Sequence, residues 1–357
     1  MIKERRSNFE ALRLLAIFFI TVHHFMYYGI NSINGYPHGA SRTLMTILFL
    51  SQGKVGVTLF FSITVYFLCT SEASLHRSFK KAWSLEKTLL FWSIILGAFS
   101  LFMGLYKNLN QKNTIKTVIS FFLPTTSNCW WFVTSYMGFL LISPFLIKGI
   151  SVLPQKWHLT LCIFLLGIEF ASHLPILKQS VAVTGGLLNT EFIILFVVIA
   201  YIKRFHSGVF TKRTIGILAL LIGYSWIIVR ALMGKQEFGI FDIGVLCESF
   251  GWFVIFNNLQ FRSKSINFLA SHVFAIYLIT EFPGLRMSIW THVLKPVSFL
   301  YGSWWMLLYG LLAVTVICFI CIGLDTIKSF LFKFIFDRNP ERWFEILWNK
   351  TNSLLSK

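Results

Sequence analysis

Residues 8–25 read NFEALRLLAIFFITVHHF, a stretch in which an arginine precedes an apolar run that ends in two histidines. A bilayer core about 30 Å thick needs roughly 20 mostly apolar residues in one helix, and this stretch has nearly that length. It contains neither proline nor glycine, so nothing in it interrupts a helix. The stretch therefore predicts a membrane-spanning helix near the start of the chain, with Arg13 and His24 inside it.

The composition extends this prediction to the whole chain. Of 357 residues, 56% are hydrophobic, 17% are aromatic and only 14 are Asp or Glu, and the mean hydropathy is +0.69. Soluble globular domains are far less apolar. We therefore predict an all-α fold, a polytopic transmembrane bundle of about ten spanning helices. The predicted spans are 8–28, 54–70, 85–106, 129–148, 157–175, 188–205, 214–233, 241–260, 266–281 and 300–327.

The distribution of Lys and Arg predicts the orientation, because these residues favour the cytoplasmic loops of membrane proteins. With the N-terminus inside, 21 of the 32 lie on the cytoplasmic side and 10 on the outer side. Both termini are therefore expected in the cytoplasm. Basic loops that meet anionic lipid headgroups also account for the net charge of +18, so no nucleic-acid partner is predicted.

The rest of the sequence predicts no further domain. Residues 1–357 are expected to form a single integral-membrane domain with no separate soluble domain, and the polar stretches 29–53 and 107–128 are expected to be outer loops. We do not expect the first span to be a signal peptide, because no small-residue cleavage site follows it and its apolar stretch is too long. The six cysteines fall within or beside apolar spans, and Cys318-x-x-Cys321 lacks a second ligand pair. We therefore expect no disulfide and no metal.

The first helix carries the clearest candidate site. Ser7 and Glu10 have the spacing of a capping box, which predicts where the helix begins. At about 100° per residue, Arg13 and His24 lie within roughly 20° of one another around the helix and some 16 Å apart along it. His23 points roughly 80° away. Arg13 and His24 are therefore expected to share one stripe of the helix.

Both residues allow a structural explanation as well as a functional one. Arg13 could reach the headgroup region or pair with Glu10, and His24 could hydrogen-bond a neighbouring helix. A charge inside a bilayer is nevertheless costly unless it faces a cavity or a partner. An arginine near the cytoplasmic mouth suits a polyanionic cofactor, and an imidazole deeper in suits proton transfer from a hydroxyl.

Arg13 and His24, with ten residues between them, form a pattern that resembles the first helix of the integral-membrane acyltransferase 3 family. Three further blocks resemble successive segments of that family, and the resemblance covers most of the chain. They are GKVGVTLFFSITVYFL (53–68), FFLPTTSNCWWFVTSYMGFLLISPFL (121–146) and INFLASHVFAIYLITEFP (266–283).

This resemblance implies an O-acyltransferase of the cell membrane, in the bacterial plasma membrane. The acyl group, usually acetyl, would pass from cytoplasmic acyl-CoA to a hydroxyl of a surface polysaccharide or its lipid-linked precursor, directly or through a partner protein of glycan assembly. Arg13 and His24 would be its catalytic residues, and Arg13 would also contact the cofactor. No metal is implied.

Two positions depart from the family pattern. The second helix of family members often reads SGYFL, and Val65 stands here in place of the glycine. The ninth helix commonly reads YLIH, and Thr280 stands in place of that histidine. Glu281 follows directly and could substitute for the imidazole, although an acid that reaches the surface from a helix end is the favoured interpretation.

The remaining candidates form three groups, each with a structural alternative. A basic cluster near the cytoplasmic mouth could meet coenzyme A phosphates or be an ordinary basic loop. Aromatic residues at the outer end of the fourth span could stack on a sugar or belong to an interfacial belt. Acids in or near spans each need a partner or a wet cavity. The groups are Arg77, Lys80 and Lys81; Trp130, Trp131 and Tyr136; and Glu169, Glu191, Asp242 and Glu248.

Two alternative functions stay open. An exporter of polysaccharide or lipid-linked sugar would also line its path with intramembrane Arg and His, but it would not use acetyl-CoA. A degenerate family member without the ninth-helix histidine would bind or scaffold rather than catalyse.

Overall fold

The computed structural model describes residues 5–106, 111–172, 187–235, 238–335 and 341–355. All regular secondary structure in these ranges is helical, which confirms the predicted all-α class. In chain order the α-helices are α1 (Ser7–His24), α2 (Ala40–Met45), α3 (Gln52–Leu68), α4 (Leu75–Phe102), α5 (Gln111–Phe122), α6 (Trp131–Ser151), α7 (Gln155–Ser172), α8 (Thr190–Phe205), α9 (Arg213–Leu232), α10 (Ile243–Asn257), α11 (Lys264–Ser271), α12 (Val273–Thr280), α13 (Arg286–Leu294), α14 (Trp305–Ile335) and α15 (Arg342–Leu355).

Six helical segments among the described residues are long and apolar enough to cross a bilayer. The predicted spans without a counterpart among them fall on α7, α8, α10 and α11–α12, which are 8 to 18 residues long. The chain is a membrane protein, and the count of about ten spans stays a prediction. The six segments are Ser7–Ser32, Ala40–Leu68, Leu75–Phe102, Trp131–Ser151, Arg213–Leu232 and Trp305–Lys333.

Two stretches predicted to be loops are largely helical. The stretch 29–53 contains α2 and a π-helical turn at Thr46–Leu50 that leads into α3. The stretch 107–128 contains α5, which packs against α4 with Phe121 buried. The prediction was wrong because polar residues at the rim of a membrane bundle are compatible with an amphipathic helix.

The start of α1 is held by tertiary contacts rather than by a capping box. Arg6 is the N-cap residue, and its side chain makes no capping hydrogen bond. Ser7, the predicted cap, accepts a hydrogen bond of 3.0 Å from the backbone N–H of Ser263. Asn8 donates one of 3.0 Å to the backbone carbonyl of Phe256 near the end of α10. The capping-box prediction was therefore wrong, because the neighbouring chain supplies the partners that a cap would supply.

Helix α1 lies at the centre of the bundle, where it packs against α3, α10, α11, α12 and α14. Its approach to α3 is close at Gly56, where a Cβ atom would lie 2.4 Å from the carbonyl oxygen of Ala16. Val65, at the family's glycine position, is fully buried in the core. Close packing of α3 therefore depends on Gly56 and does not require a glycine at position 65.

The ninth predicted span is broken at His272 into α11 and α12. Nδ1 of His272 lies 2.7 Å from Oδ2 of Asp325 in α14, and Lys328 donates to Oδ1 of the same carboxylate at 2.8 Å. This buried group ties the break to α14. The end of α12 is thereby brought beside the end of α1.

We call the end of the bundle at which α1 begins the N-terminal face, and the opposite end the far face. Asn8 and Ser263 lie at the N-terminal face, and His24 is buried at the end of α1, from which the helical segment continues to Ser32. At about 1.5 Å per residue, α1 extends roughly 26 Å from Ser7 to His24. The two candidate residues of α1 therefore lie at different depths of the bundle.

Candidate active site

His24 ends α1 and is buried against the residue that follows α12. Its Nε2 lies 3.0 Å from Oε2 of Glu281, and the two side chains are 8% and 6% exposed. Nδ1 of His24 is also buried, and no residue in the described ranges hydrogen-bonds to it. One ring nitrogen thus faces a carboxylate, and the hydrogen-bonding position of the other is unused among the described residues.

Glu281 is held in place by two further side chains. The Tyr28 hydroxyl donates to Oε1 at 2.7 Å, and Nη1 of Arg286 donates to the same oxygen at 3.2 Å. The Arg286 guanidinium also lies over the Tyr28 ring, 4.9 Å from its centroid. Three groups therefore converge on one carboxylate, which restricts its position.

The favoured interpretation of Glu281 as an acid that reaches the surface was wrong. The residue is buried because α12 is only eight residues long and ends beside α1, so its C-terminal end points into the bundle. Thr280 does not replace the family's histidine, because its hydroxyl donates to the Ile276 carbonyl of its own helix at 2.7 Å. Glu281, the possible substitute named from the sequence, is the residue of this segment that meets His24.

His23 has a different environment, as the helical spacing predicts. Its Nδ1 lies 2.7 Å from the Leu50 carbonyl oxygen, and its ring stacks on Tyr27 with centroids 5.5 Å apart. These contacts bind the end of α1 to the segment before α3. His23 is thus a packing residue, and His24 is the residue that meets the carboxylate.

The pair of His24 and Glu281 is one polar centre of α1, and the pair of Arg13 and Glu10 is a second one. Nη1 of Arg13 donates to Oε1 of Glu10 at 2.6 Å, and 29% of its side chain is exposed. Its charge also acts on the hydroxyl of Tyr136, which is hydrogen-bonded to Thr64. Arg13 and His24 share a helix face but are separated by some 16 Å along the axis, so they do not form one constellation.

The three aromatic candidates differ in their environments. Trp130 is 1% exposed, and its indole N–H donates to the Leu278 carbonyl at 3.0 Å, so it is a core residue and presents no face to a sugar. Trp131 is half-buried, with Nζ of Lys54 4.9 Å from its ring centroid. Tyr136 is half-buried and stacks on a phenylalanine ring of α6. The prediction for Trp130 was wrong, because the turn before α6 directs its ring inward.

The basic cluster of α4 is partly neutralised. Lys80 pairs with Glu341 at 2.5 Å and with Glu345 at 3.0 Å, which attaches α15 to α4. His76 lies 2.9 Å from the same Glu345 carboxylate. Hydrogen bonds from His76 and Lys80 lower the pKa of Glu345. The other two predicted members, Arg77 and Lys81, lie on the same helix, and Arg77 is 3.8 Å from Glu72.

The intramembrane acids have partners away from His24. Glu248 is fully buried and accepts a hydrogen bond of 3.0 Å from Nε2 of Gln52. Asp242 pairs with Arg230 and caps α10, and Lys54 interacts electrostatically with Glu191. Glu169 also has a partner. Glu248 is therefore a buried carboxylate like Glu281, but it contacts no histidine among its described partners.

A family model described as an acyltransferase domain matches residues 6–323. The chain belongs to the acyltransferase 3 family. The predicted family is thereby confirmed, and this acyltransferase 3 protein is in general terms a membrane acyltransferase. The matched range includes both polar centres of α1 and ends within α14, so α15 lies beyond it. No curated protein and no solved structure matches the chain significantly.

Sequence reasoning missed two members of the site in this acyltransferase 3 protein. Tyr28 lies four residues after His24, a spacing that places two side chains on neighbouring positions of a helix, so its role could have been foreseen. Arg286 begins α13 and lies near Glu281 only because the chain turns there. The helical periodicity of a sequence does not predict a contact that depends on a turn of the chain.

Proposed function

We propose that this protein transfers an acetyl or similar acyl group from acyl-CoA to a hydroxyl of a cell-surface polysaccharide or its lipid-linked precursor, in a bacterial plasma membrane. His24 acts as the general base. The observation that carries this proposal is the His24 imidazole, with Glu281 at Nε2 and a buried, unpaired Nδ1. The donor and acceptor classes rest on the family, with acetyl its usual acyl group.

The arrangement suits the imidazole tautomer that carries its proton on Nε2, where that proton faces Glu281. The Nδ1 lone pair then accepts the proton of the acceptor hydroxyl while that oxygen attacks the thioester carbonyl carbon. The carbon–sulfur bond breaks, and the departing coenzyme A thiolate takes the proton from Nδ1. The Glu281 carboxylate stabilises the imidazolium that exists between these two proton transfers.

The same nitrogen also suits a two-step route. Nδ1 would attack the thioester carbonyl carbon, and the carbon–sulfur bond would break to release the coenzyme A thiolate and leave an acetyl-imidazole. The acceptor hydroxyl would then attack the acetyl carbon, the carbon–nitrogen bond would break, and Nδ1 would take the hydroxyl proton and pass it to the thiolate. In both routes Tyr28 and Arg286 act as positioning residues, because they contact Glu281 rather than the reacting atoms. Trapping of labelled acetyl on the protein would identify the second route.

Donor and acceptor are proposed to approach from opposite faces. With the predicted orientation the N-terminal face is cytoplasmic, so acyl-CoA enters there and its acyl end extends along α1, past Arg13, toward His24. Arg286, 35% exposed, and the half-buried Trp131 lie toward the far face, where they would contact the acceptor. This arrangement agrees with the depth difference between the two polar centres of α1.

The decisive experiment uses purified protein in liposomes with radiolabelled acetyl-CoA and measures label release or transfer to added polysaccharide. We expect turnover by the wild type, and loss of turnover without loss of folding in His24→Ala. Unchanged turnover in that variant would contradict the role of His24. Absence of turnover in the wild type, together with no thermal stabilisation by acyl-CoA, would favour the exporter.

A further inference from the structure

A second buried polar group near the His24–Glu281 pair carries a proton that nothing accepts. Tyr277 in α12 is 5% exposed, and no residue in the described ranges accepts the proton of its hydroxyl. The Phe132 backbone N–H interacts with the phenolic oxygen, but an N–H can only donate. A buried donor without an acceptor destabilises a folded protein, so its presence requires an explanation.

The helical spacing of α12 brings Tyr277 to the pair. Tyr277 and Glu281 are four residues apart, and the Glu281 N–H donates to the Tyr277 carbonyl at 3.0 Å, so the helical turn between them is intact. Residues at this spacing are neighbours on one face of a helix. The Glu281 carboxylate and the Tyr28 hydroxyl also act electrostatically on the Tyr277 hydroxyl. Tyr277 therefore belongs to the buried polar cluster that surrounds His24.

We propose that Tyr277 is a further catalytic residue, whose hydroxyl donates a hydrogen bond to the thioester carbonyl oxygen of the acyl donor. The inference rests on the proposed function, which makes an acyl-CoA the donor and His24 the general base. When the acceptor oxygen attacks the carbonyl carbon, the carbonyl electron pair moves onto its oxygen, and this oxyanion accepts the Tyr277 O–H. The carbonyl forms again as the carbon–sulfur bond breaks, and the phenolic proton stays on Tyr277 throughout.

Availability of the proton is the first argument. Tyr28 and Arg286 also lie at the site, but both donate to Oε1 of Glu281. The Tyr277 proton has no acceptor among the described residues, so it can bond to a developing oxyanion without first breaking another hydrogen bond. A tyrosine hydroxyl keeps its proton near neutral pH and is one of the groups that form oxyanion holes.

Position is the second argument. The start of α11 lies beside the start of α1, and the end of α12 lies beside the end of α1, so these helices run in the same direction. Tyr277 lies one helical turn before Glu281, which places it about 6 Å nearer the N-terminal face along the axis. The acyl donor is proposed to enter from that face. Burial also excludes water, which strengthens a hydrogen bond to developing charge.

The test measures acetyl transfer by Tyr277→Phe in liposomes with radiolabelled acetyl-CoA. We expect kcat to fall by about 10²- to 10³-fold with an unchanged KM. The Tm should stay close to the wild-type value, because the proton that is removed has no acceptor. A wild-type kcat in Tyr277→Phe, whatever its Tm, would overturn the proposal.

Tyr309→Phe is the matched control. The Tyr309 hydroxyl donates to the Val293 carbonyl at 2.6 Å, in a contact between α13 and α14. Its removal leaves that carbonyl without a donor, so the Tm should fall while kcat is kept. The two substitutions are chemically identical, and opposite patterns of kcat and Tm are expected from them. A comparable loss of kcat in both variants would overturn the specific role of Tyr277.

A binding experiment tests the same role without turnover. The trifluoromethyl ketone analogue of acetyl-CoA has a tetrahedral carbon when hydrated, and the wild type should bind it more tightly than acetyl-CoA. Tyr277→Phe should bind the analogue about tenfold or more weakly than the wild type and should keep its Kd for acetyl-CoA. Equal weakening for both ligands would place Tyr277 in substrate binding and overturn the proposal.

The outcomes separate this inference from the proposed function. Turnover that is lost in His24→Ala but kept in Tyr277→Phe would overturn the role of Tyr277 and leave the proposed function intact. Absence of turnover in the wild type, together with no binding of either ligand, would overturn both.

Discussion

Arg13 and His24 lie on one face of α1, yet they acquire their partners differently. Arg13 pairs with Glu10, one turn earlier in the same helix, and stays 29% exposed. His24 pairs with Glu281, which α12 brings from a distant part of the chain, and both side chains are buried. The first pair forms wherever α1 is helical, whereas the second requires the packed bundle. Function that depends on the second pair is therefore sensitive to anything that moves α12.

The largest expected effect is at His24. Removal of a general base typically costs about 10²- to 10⁴-fold in rate, so His24→Ala should lose turnover by that order. His23→Asn is the matched control, because Nδ1 of His23 lies on the Leu50 carbonyl and not on Glu281, and this variant should retain most of the activity. Radiolabelled acetyl transfer measures both variants. Equal losses of turnover in the two variants would mean that activity depends on the structure of the end of α1 and not on the imidazole of His24.

Glu281→Gln tests the partner in α12 and should have the next largest effect. The amide keeps the size of the side chain but cannot compensate an imidazolium, so kcat should fall by about 10²-fold while KM for acyl-CoA stays unchanged. Glu248→Gln changes another buried carboxylate and is expected to leave kcat within a few-fold. A rise in KM with unchanged kcat in Glu281→Gln would place Glu281 in substrate binding instead.

Trp130→Phe tests whether the His24 pair depends on the packing of α12. The variant leaves the buried Leu278 carbonyl without its donor, which costs about 1–3 kcal/mol of stability. We expect a lower Tm and a reduced kcat, because α12 carries Glu281 on its end. Trp131→Phe should keep the Tm, since Trp131 is only half-buried. A wild-type kcat in a destabilised Trp130→Phe would show that the pair tolerates movement of α12.

Arg13→Lys and Glu10→Gln test the Arg13–Glu10 pair, the local pair of the comparison. A helical pair of this spacing contributes only about 0.2–0.5 kcal/mol, so neither change should lower the Tm measurably. Lysine keeps the charge but loses the forked donor, and KM for acyl-CoA should rise several-fold if Arg13 contacts the donor. Glu10→Gln should leave KM unaltered. Identical KM values in Arg13→Lys and the wild type would leave Arg13 with a structural role only.

The smallest effect on turnover is expected at the contact of α15 with α4. Like the His24–Glu281 pair, this contact joins distant parts of the chain, but it includes no residue proposed to take part in the reaction. Because the pKa of Glu345 is lowered in the folded protein, its stabilising contribution is present above its ordinary pKa of 4.5 and is lost as the pH falls through the lowered value. Acidification below this range should expose α15 to proteolysis. Glu345→Gln should make α15 equally accessible at neutral pH, with turnover within about twofold. A large loss of turnover would connect α15 to the active site.

The sequence predicted elements well where hydropathy alone decides them. The predicted spans 85–106 and 214–233 largely coincide with helices α4 and α9. It failed for α2 and α5, which lie at the rim, because their polar residues resemble those of a loop. It also treated Trp130 and Trp131 alike, although adjacent positions differ by about 100° in direction once a helix begins. Local composition does not reveal which of two neighbours faces the core.

The sequence by itself determined that the first helix is apolar enough to cross a bilayer and carries Arg13 and His24 on one face, because hydropathy and the 3.6-residue period act within a single helix. It also contained the Glu10–Arg13 pair, whose members are one turn apart. Only the tertiary structure decided that Glu281 meets His24. That contact depends on the break at His272 and on the packing of α10 to α12 around α1, and such packing arises from many interhelical contacts that no local pattern records.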